Sequence, residues 1–303
     1  FRRVLFRSGA GISAPLNHTE VLIVNFKPPV EIAKNACAVA NAKGNMSIKA
    51  MLVMGFLAGA YIAFGGFLMT TVTQDAAQYV GIGISKMLGG LVFAVGLMLV
   101  VVGGAELFTG NCLMPIGVLS GCVPIGKVLK NWGIVYVANL IGSVAIAWLV
   151  YNSGLASGAT GVNALKIATA KVNISFTPAL IRGILCNWLV VMAVWMSFSA
   201  LDVVSKYICC VIPVSAFVAM GFEHSVANMY FIPFGLLIKL GAPASFREEL
   251  ARQGGRMPDI PVDQFAINLA AVTFGNWVGG ALLVGAIYWL LFRRPHAAAS
   301  RAA

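Results

Sequence analysis

The chain has 303 residues, of which 59% are hydrophobic and only 10% charged, with a mean hydropathy of +0.88. Soluble domains carry about 25% charged residues, so this composition excludes a water-facing enzyme, a nucleic-acid-binding module and a disordered chain. The net charge of +11 marks, in so apolar a chain, cytoplasmic loops and an anion path rather than binding to nucleic acid.

Residues 1–25 have no signal-peptide apolar core and are expected to form a non-native or disordered tail outside the fold. In 26–48, Val30, Ile32, Ala33, Ala36 and Cys37 share one side at helical spacing, which predicts a short amphipathic helix on the cytoplasmic surface. Residues 49–292 read as a transmembrane domain and 293–303 as a cytoplasmic tail. A bilayer core about 30 Å thick asks for about 20 apolar residues in helix, and runs of that kind lie at 51–72, 87–105, 132–151, 183–200 and 265–292. The run at 207–222 meets Glu223 and His224, then resumes at 229–240. The second run likewise meets Glu106 and resumes at 112–126. Six transmembrane helices are therefore predicted, the second and fifth broken, because lipid cannot satisfy an open backbone.

Lys and Arg in the flanking segments favour both termini in the cytoplasm, with the 243–262 loop outside. Trp132, Trp148, Tyr151 and Tyr230 fall at span ends and read as interface anchors or subunit contacts. The six Cys include no CxxC and lie mostly in apolar runs. They read as small packing residues, implying neither a zinc site nor a disulfide framework.

The two breaks carry one motif. Residues 104–111 read G-A-E-L-F-T-G-N and 221–228 read G-F-E-H-S-V-A-N, each followed within five residues by a proline, Pro115 or Pro233. The helices that follow match as well, A-N-L-I-G-S at 138–143 beside G-N-W-V-G-G at 275–280, which pairs Asn139 with Asn276. A duplicated unit of three helices is implied. Three is odd, so the second copy enters with opposite polarity, an inverted 3+3 repeat. Polar groups at mid-bilayer seldom face lipid, so Glu106, Glu223, Asn111 and Asn228 are placed inward. The two Glu read as structural, accepting charge-assisted bonds from freed backbone N–H groups.

These motifs, with N-W-L-V-V-M-A-V-W-M-S at 187–197, resemble the formate/nitrite transporter family over roughly residues 26–292. The resemblance implies an aquaporin-like protomer in a homopentamer, in the plasma (inner) membrane, with one pore per protomer and no cofactor or metal. Partners would be small monovalent anions (formate, nitrite, hydrosulfide), protons and lipid. It also implies roles by position. His224 is the central pore histidine, and Thr109 the threonine within hydrogen-bonding reach of it. Phe93, Leu97, Leu107 and Phe217 are the apolar constrictions, Asn187 a polar pore residue, and Lys171 the basic residue of the outer vestibule.

On these residues a mechanism can be written. Lys171 concentrates anions at the mouth, and desolvation between Phe93, Leu97 and Phe217 makes the charged form costly. His224 then gives or shares a proton, with Thr109, Asn187 and Asn228 bonding at the midpoint. Two rival readings remain. A neutral-solute channel would carry Asn-Pro-Ala half-helix motifs, which this chain lacks. A membrane anchor of a redox complex would need paired ligands, and only one His is intramembrane.

Overall fold

A computed structural model describes residues 26–252 and 256–292, and the helical chain begins with a surface helix, α1 (Pro29–Gly44). The tails expected at 1–25 and 293–303 lie outside the described residues. Ser47 then caps α2 (Ile48–Val72), its Oγ accepting from the Ala50 N–H at 3.2 Å. The next candidate span is built from α3 (Ala76–Phe93) and α4 (Val95–Gly103). It begins well before the predicted 87, and α3 bends at Gly81, whose φ is 78°. Two short helices follow the first break, α5 (Phe108–Asn111) and α6 (Pro115–Leu119), before the long α7 (Ile125–Asn152).

The second half of the chain is also helical. A surface helix, α8 (Gly158–Val172), precedes α9 (Phe176–Ser197) and α10 (Val203–Ala219). After the second break come α11 (Ser225–Gly241), a short α12 (Ala244–Arg252) and α13 (Val262–Trp277). The chain continues through a π-helical segment, Val278–Ala286, into α14 (Ile287–Phe292). Five of these stretches are long and apolar enough to cross a membrane, and Phe108–Leu119, Val203–Ala219 and Ser225–Gly241 are shorter apolar helices. Sequence reading missed α8 because its alternation of Ala, Thr and Lys carries no long apolar run.

Helices α2 and α7 touch backbone to backbone. A Cβ on Gly59 would stand 2.1 Å from the Asn139 carbonyl oxygen, and one on Gly142 only 2.0 Å from that of Phe56. Small residues permit such contact where no water drives helices together. At the breaks glycine serves a second purpose. Gly104 ends α4 at φ 80° and Gly221 ends α10 at φ 75°, left-handed positions that a side chain would strain.

Two sequence expectations change here. Trp132 and Tyr230 are buried rather than placed at an interface; the Trp132 ring nitrogen donates to the Asn111 carbonyl at 2.9 Å. Cys37 and Cys122, separated by 85 residues in sequence, form a disulfide with Cα atoms 5.9 Å apart. Packing of α1 on α6 and its following turn brings them together, which no local spacing signals.

Candidate functional site

Each break is closed by one asparagine from the helix that follows it. Asn139 donates from Nδ2 to the carbonyls of Gly55 (2.7 Å) and Glu106 (2.9 Å), and its Oδ1 accepts the Phe108 N–H at 2.9 Å. Asn276 does the same for Gly183 (2.8 Å) and Glu223 (2.9 Å), and accepts the Ser225 N–H at 2.8 Å. A helix interrupted in an apolar interior exposes backbone groups that must be paired, and these two amides pair them.

That task was expected of the glutamates. Their carboxylates instead bond to side chains. Lys43 Nζ donates to Glu106 Oε1 at 2.5 Å and to Asn111 Oδ1 at 2.9 Å, while Asn111 Nδ2 donates to Glu106 Oε2 and to Asn131 Oδ1, both at 2.8 Å. Asn131 closes the circuit on the Lys43 carbonyl. In the other half, Lys171 Nζ reaches both oxygens of Glu223 at 3.0 Å; Asn228 Nδ2 donates to Glu223 and to Asn268, both at 2.7 Å, and Asn268 donates to the Lys171 carbonyl. The physical reason is charge. A buried carboxylate is held best by a cation and an amide together, whereas a neutral amide supplies the donors and acceptor the backbone needs.

Between the breaks sits the histidine. His224 is buried at the start of α11, and its Nδ1 accepts the Ala227 N–H at 3.1 Å. An accepting Nδ1 carries no proton, so the ring hydrogen is on Nε2, which lies 2.8 Å from Thr109 Oγ1. The threonine oxygen therefore accepts from the ring and keeps its own hydroxyl hydrogen to offer elsewhere. On one side of this pair an aromatic series leads out. Phe217 stacks at 6.0 Å from the imidazole, Phe93 meets Phe217 edge-on at 6.2 Å, Phe231 stacks on Phe93 at 6.3 Å, and Lys171 Nζ stands 5.4 Å from the Phe231 centroid. On the other side, Leu97 and Leu107 line a cavity of about 220 Å³ whose wall includes Ala36, Val39, Ala40, Lys43 and Glu106.

Of the residues singled out from sequence, Thr109 and His224 meet directly, Phe93 and Phe217 pack against each other, and Leu97 and Leu107 share the cavity. Asn187 is fully buried, donating to the carbonyls of Thr109 (3.2 Å) and Asn276 (2.7 Å). Its amide hydrogens are thus committed to protein, as are those of Asn228. Neither has N–H left for a passing solute. Sequence reasoning missed Lys43, Asn131, Asn268 and Phe231 as parts of the site. A signal existed for the first three. Lys43 and Lys171 each head a K-x-N-x-S segment (43–47 and 171–175), and Asn131/Asn139 and Asn268/Asn276 are equally spaced pairs.

Comparison with known proteins places this geometry among relatives. The family model described as formate/nitrite transporter matches residues 30–290. A probable formate transporter of Methanothermobacter thermautotrophicus is 40% identical over 287 residues, covering 88% of this chain and 98% of that protein. The formate channel FocA of Escherichia coli (strain K12) is 38% identical over 247 residues, with 80% and 86% covered. Among solved structures, a pentameric formate channel with formate bound overlays with a TM-score of 0.73 at 35% identity, covering 82% of this chain and 98% of that one. An FNT family ion channel gives a TM-score of 0.74 at 27% identity, with 86% and 98% covered.

Proposed function

The chain belongs to the formate/nitrite transporter family, a family of membrane channels and transporters rather than enzymes, and on that premise we propose that it conducts small monovalent anions, formate first among them, through a pore in each protomer of a homopentamer. The pentameric formate channel it resembles supports the assembly. Six crossings in an inverted 3+3 arrangement, aquaporin-like in plan, follow from the matched halves. With an odd number of crossings per half, Lys43 and Lys171 lie at opposite mouths, the Lys43 mouth and both termini on the cytoplasmic side. An impermeant thiol reagent should label Asp259→Cys from outside intact cells; labelling only after lysis inverts the topology.

The observation that carries the proposal is the buried Thr109–His224 bond, set between apolar walls with a lysine–glutamate pair beyond each. An anion entering past Lys171 sheds water between Phe231, Phe93 and Phe217, where its charge is poorly solvated. At the midpoint the Thr109 hydroxyl donates to it, its oxygen held by the His224 Nε2–H. The ring acts as a neutral orienting group, because a second proton would have to displace the Ala227 N–H from Nδ1. This departs from the imidazolium step suggested by sequence. Past Leu97 and Leu107 the anion regains water in the Lys43 cavity.

Proteoliposomes test the reading directly. Formate salts should enter much faster than glycerol, and His224→Asn, whose Oδ1 can still cap α11 but which loses the ring's hold on Thr109, should lower formate flux at every pH. Equal entry of glycerol points to a neutral-solute pore. A loss confined to acidic pH restores the imidazolium step.

A further inference from the structure

The disulfide joins two parts of the molecule that matter for the proposed pore. Cys37 lies on α1, between Ala36 and the Val39, Ala40 and Lys43 side chains that wall the 220 Å³ cavity. Cys122 lies in the turn after α6, beyond the first break. What else holds α1 is modest. Its buried face consists of Ile32, Ala36, Ala40 and Gly44, side chains that bring little apolar area to the interface. Its entry is pinned by Lys27 and Ser199, which exchange hydrogen bonds at 3.0 and 2.8 Å, and its end by Lys43 on Glu106. Through its middle the covalent tie is the strongest restraint.

The pair is also reachable. Cys37 and Cys122 both line a second cavity, of about 520 Å³, together with Lys34 and Ser120. A cavity of that size admits a small thiol or disulfide, and a nearby ammonium favours the thiolate that attacks it. On the proposed orientation this face meets a compartment where thiols are kept reduced, so a bond here forms and breaks with conditions.

We propose that Cys37 and Cys122 form a thiol-modification site for low-molecular-weight disulfides and dithiols, whose bond holds the α1 wall of the Lys43 mouth in place. The Cys37 thiolate attacks one sulfur of oxidised glutathione and expels one glutathione thiolate. The Cys122 thiolate then attacks Cys37 in the mixed disulfide and expels the second. Two protein thiols are oxidised, one glutathione disulfide is reduced to two thiols, and the two protons released pass to the departing thiolates. With the bond intact, Lys43 neutralises Glu106 at the mouth. When it is reduced, α1 loosens, Lys43 leaves Glu106 for part of the time, and the uncovered carboxylate repels entering anions.

The effect on flux rests on the channel reading; the bond and its hold on α1 do not. The experiment uses full-length pentamer equilibrated with oxidised or reduced glutathione. Peptide mapping after alkylation reads the Cys37–Cys122 bond, hydrogen exchange reads residues 29–44, and proteoliposomes read formate uptake. The expected result is a bond that forms only in the oxidised sample, exchange in 29–44 faster by tenfold or more on reduction, and a several-fold lower formate flux. Cys37→Ser and Cys122→Ser should sit at the reduced values in both buffers, and Lys43→Gln should lower flux without redox dependence. Absence of the bond in oxidised glutathione overturns the proposal, as does a bond that changes neither exchange nor flux. If no sample carries formate at all, the channel reading fails, while mapping and exchange still decide the thiol site.

Discussion

Replacing Thr109 by Val keeps a β-branched side chain of nearly the same shape and deletes one hydroxyl. Thr109 is fully buried and His224 is 3% exposed, so neither has ready access to bulk water in place of the other. Two consequences follow. On the proposed pathway the anion loses its midpoint donor, and a hydrogen bond to a charged group is worth about 1.5–3 kcal/mol. At about 1.4 kcal/mol per factor of ten, formate flux should fall by roughly 10- to 100-fold. The imidazole Nε2–H is also stranded, at a cost of about 1–3 kcal/mol in stability unless a water fills the gap. Thr109→Ser keeps the hydroxyl and removes only a methyl, so its flux should stay within a few-fold of the parent. Light scattering from proteoliposomes after a formate jump measures the rates, with pentamer content checked by size exclusion. If Thr109→Val conducts as fast as Thr109→Ser and both match the parent, the hydroxyl is not the midpoint donor.

Three further outcomes are expected. Asn139→Ala and Asn276→Ala each strand a carbonyl and an N–H at a break, which at about 1–3 kcal/mol per group should cost roughly 2–6 kcal/mol; an unchanged melting midpoint in detergent for either would refute that role. Lys171→Met leaves the Glu223 carboxylate buried without its cation and should lower the midpoint, whereas Lys171→Met with Glu223→Gln should recover much of it; a double variant no better than the single would show that the pair is not the source of the loss. Outside the membrane, the Lys239 ammonium 2.6 Å from Asp259 holds that carboxyl below the ordinary carboxylate range. The folded-state value being the lower one, its small contribution is complete above that range and disappears as pH falls through it. Asp259→Asn should therefore flatten one component of the melting profile below about pH 5, and an unaltered profile would rule the pair out.

How much of this was legible in sequence depended on the length scale of the signal. The long apolar runs and the two G-x-E-x-x-x-x-N breaks were plain, because cost per residue in lipid forces both. Surface helix α8 was not, since a helix that lies against others with one face exposed needs no apolar run. The glutamates read as accepting from freed backbone N–H groups, and their carboxylates bond to side chains instead. A carboxylate near freed N–H groups suggests a bond to them, and only the structure reveals Lys43 arriving from a helix 63 residues away. Asn187 and Asn228 were expected to serve a solute, yet burial commits their N–H groups to neighbours. Residue type says that an amide must be satisfied, and packing alone says by what. The Cys37–Cys122 pair had no signal at all, because contact between α1 and α6 is purely tertiary.

The two halves of the chain are most informative where they disagree. The elements that support the breaks are shared: Lys43 with Lys171, Glu106 with Glu223, Asn111 with Asn228, Asn131 with Asn268 and Asn139 with Asn276 make corresponding bonds, except that Lys43 also reaches Asn111 Oδ1 while Lys171 takes both Glu223 oxygens. After the glutamate, however, Leu107 stands where the other half has His224, and Thr109 where it has Val226. Four residues beyond the paired Gly55 and Gly183, the first half has Gly59, which lets α7 approach, while the second has Asn187. Leucine at both N-caps would give two capless half-helices facing a dry centre. A first half identical to the second, with histidine at the N-cap and valine in place of Thr109, would bury two imidazoles with no hydroxyl between them. With one of each, a single ring caps α11 at its Nδ1 and grips the opposing half-helix through Thr109, and Asn187 binds the Thr109 and Asn276 carbonyls across the same junction. Identity between halves maintains a scaffold, and its loss at these three positions builds the Thr109–His224 bond at the junction of the two half-helices, the bond on which the proposed pore rests.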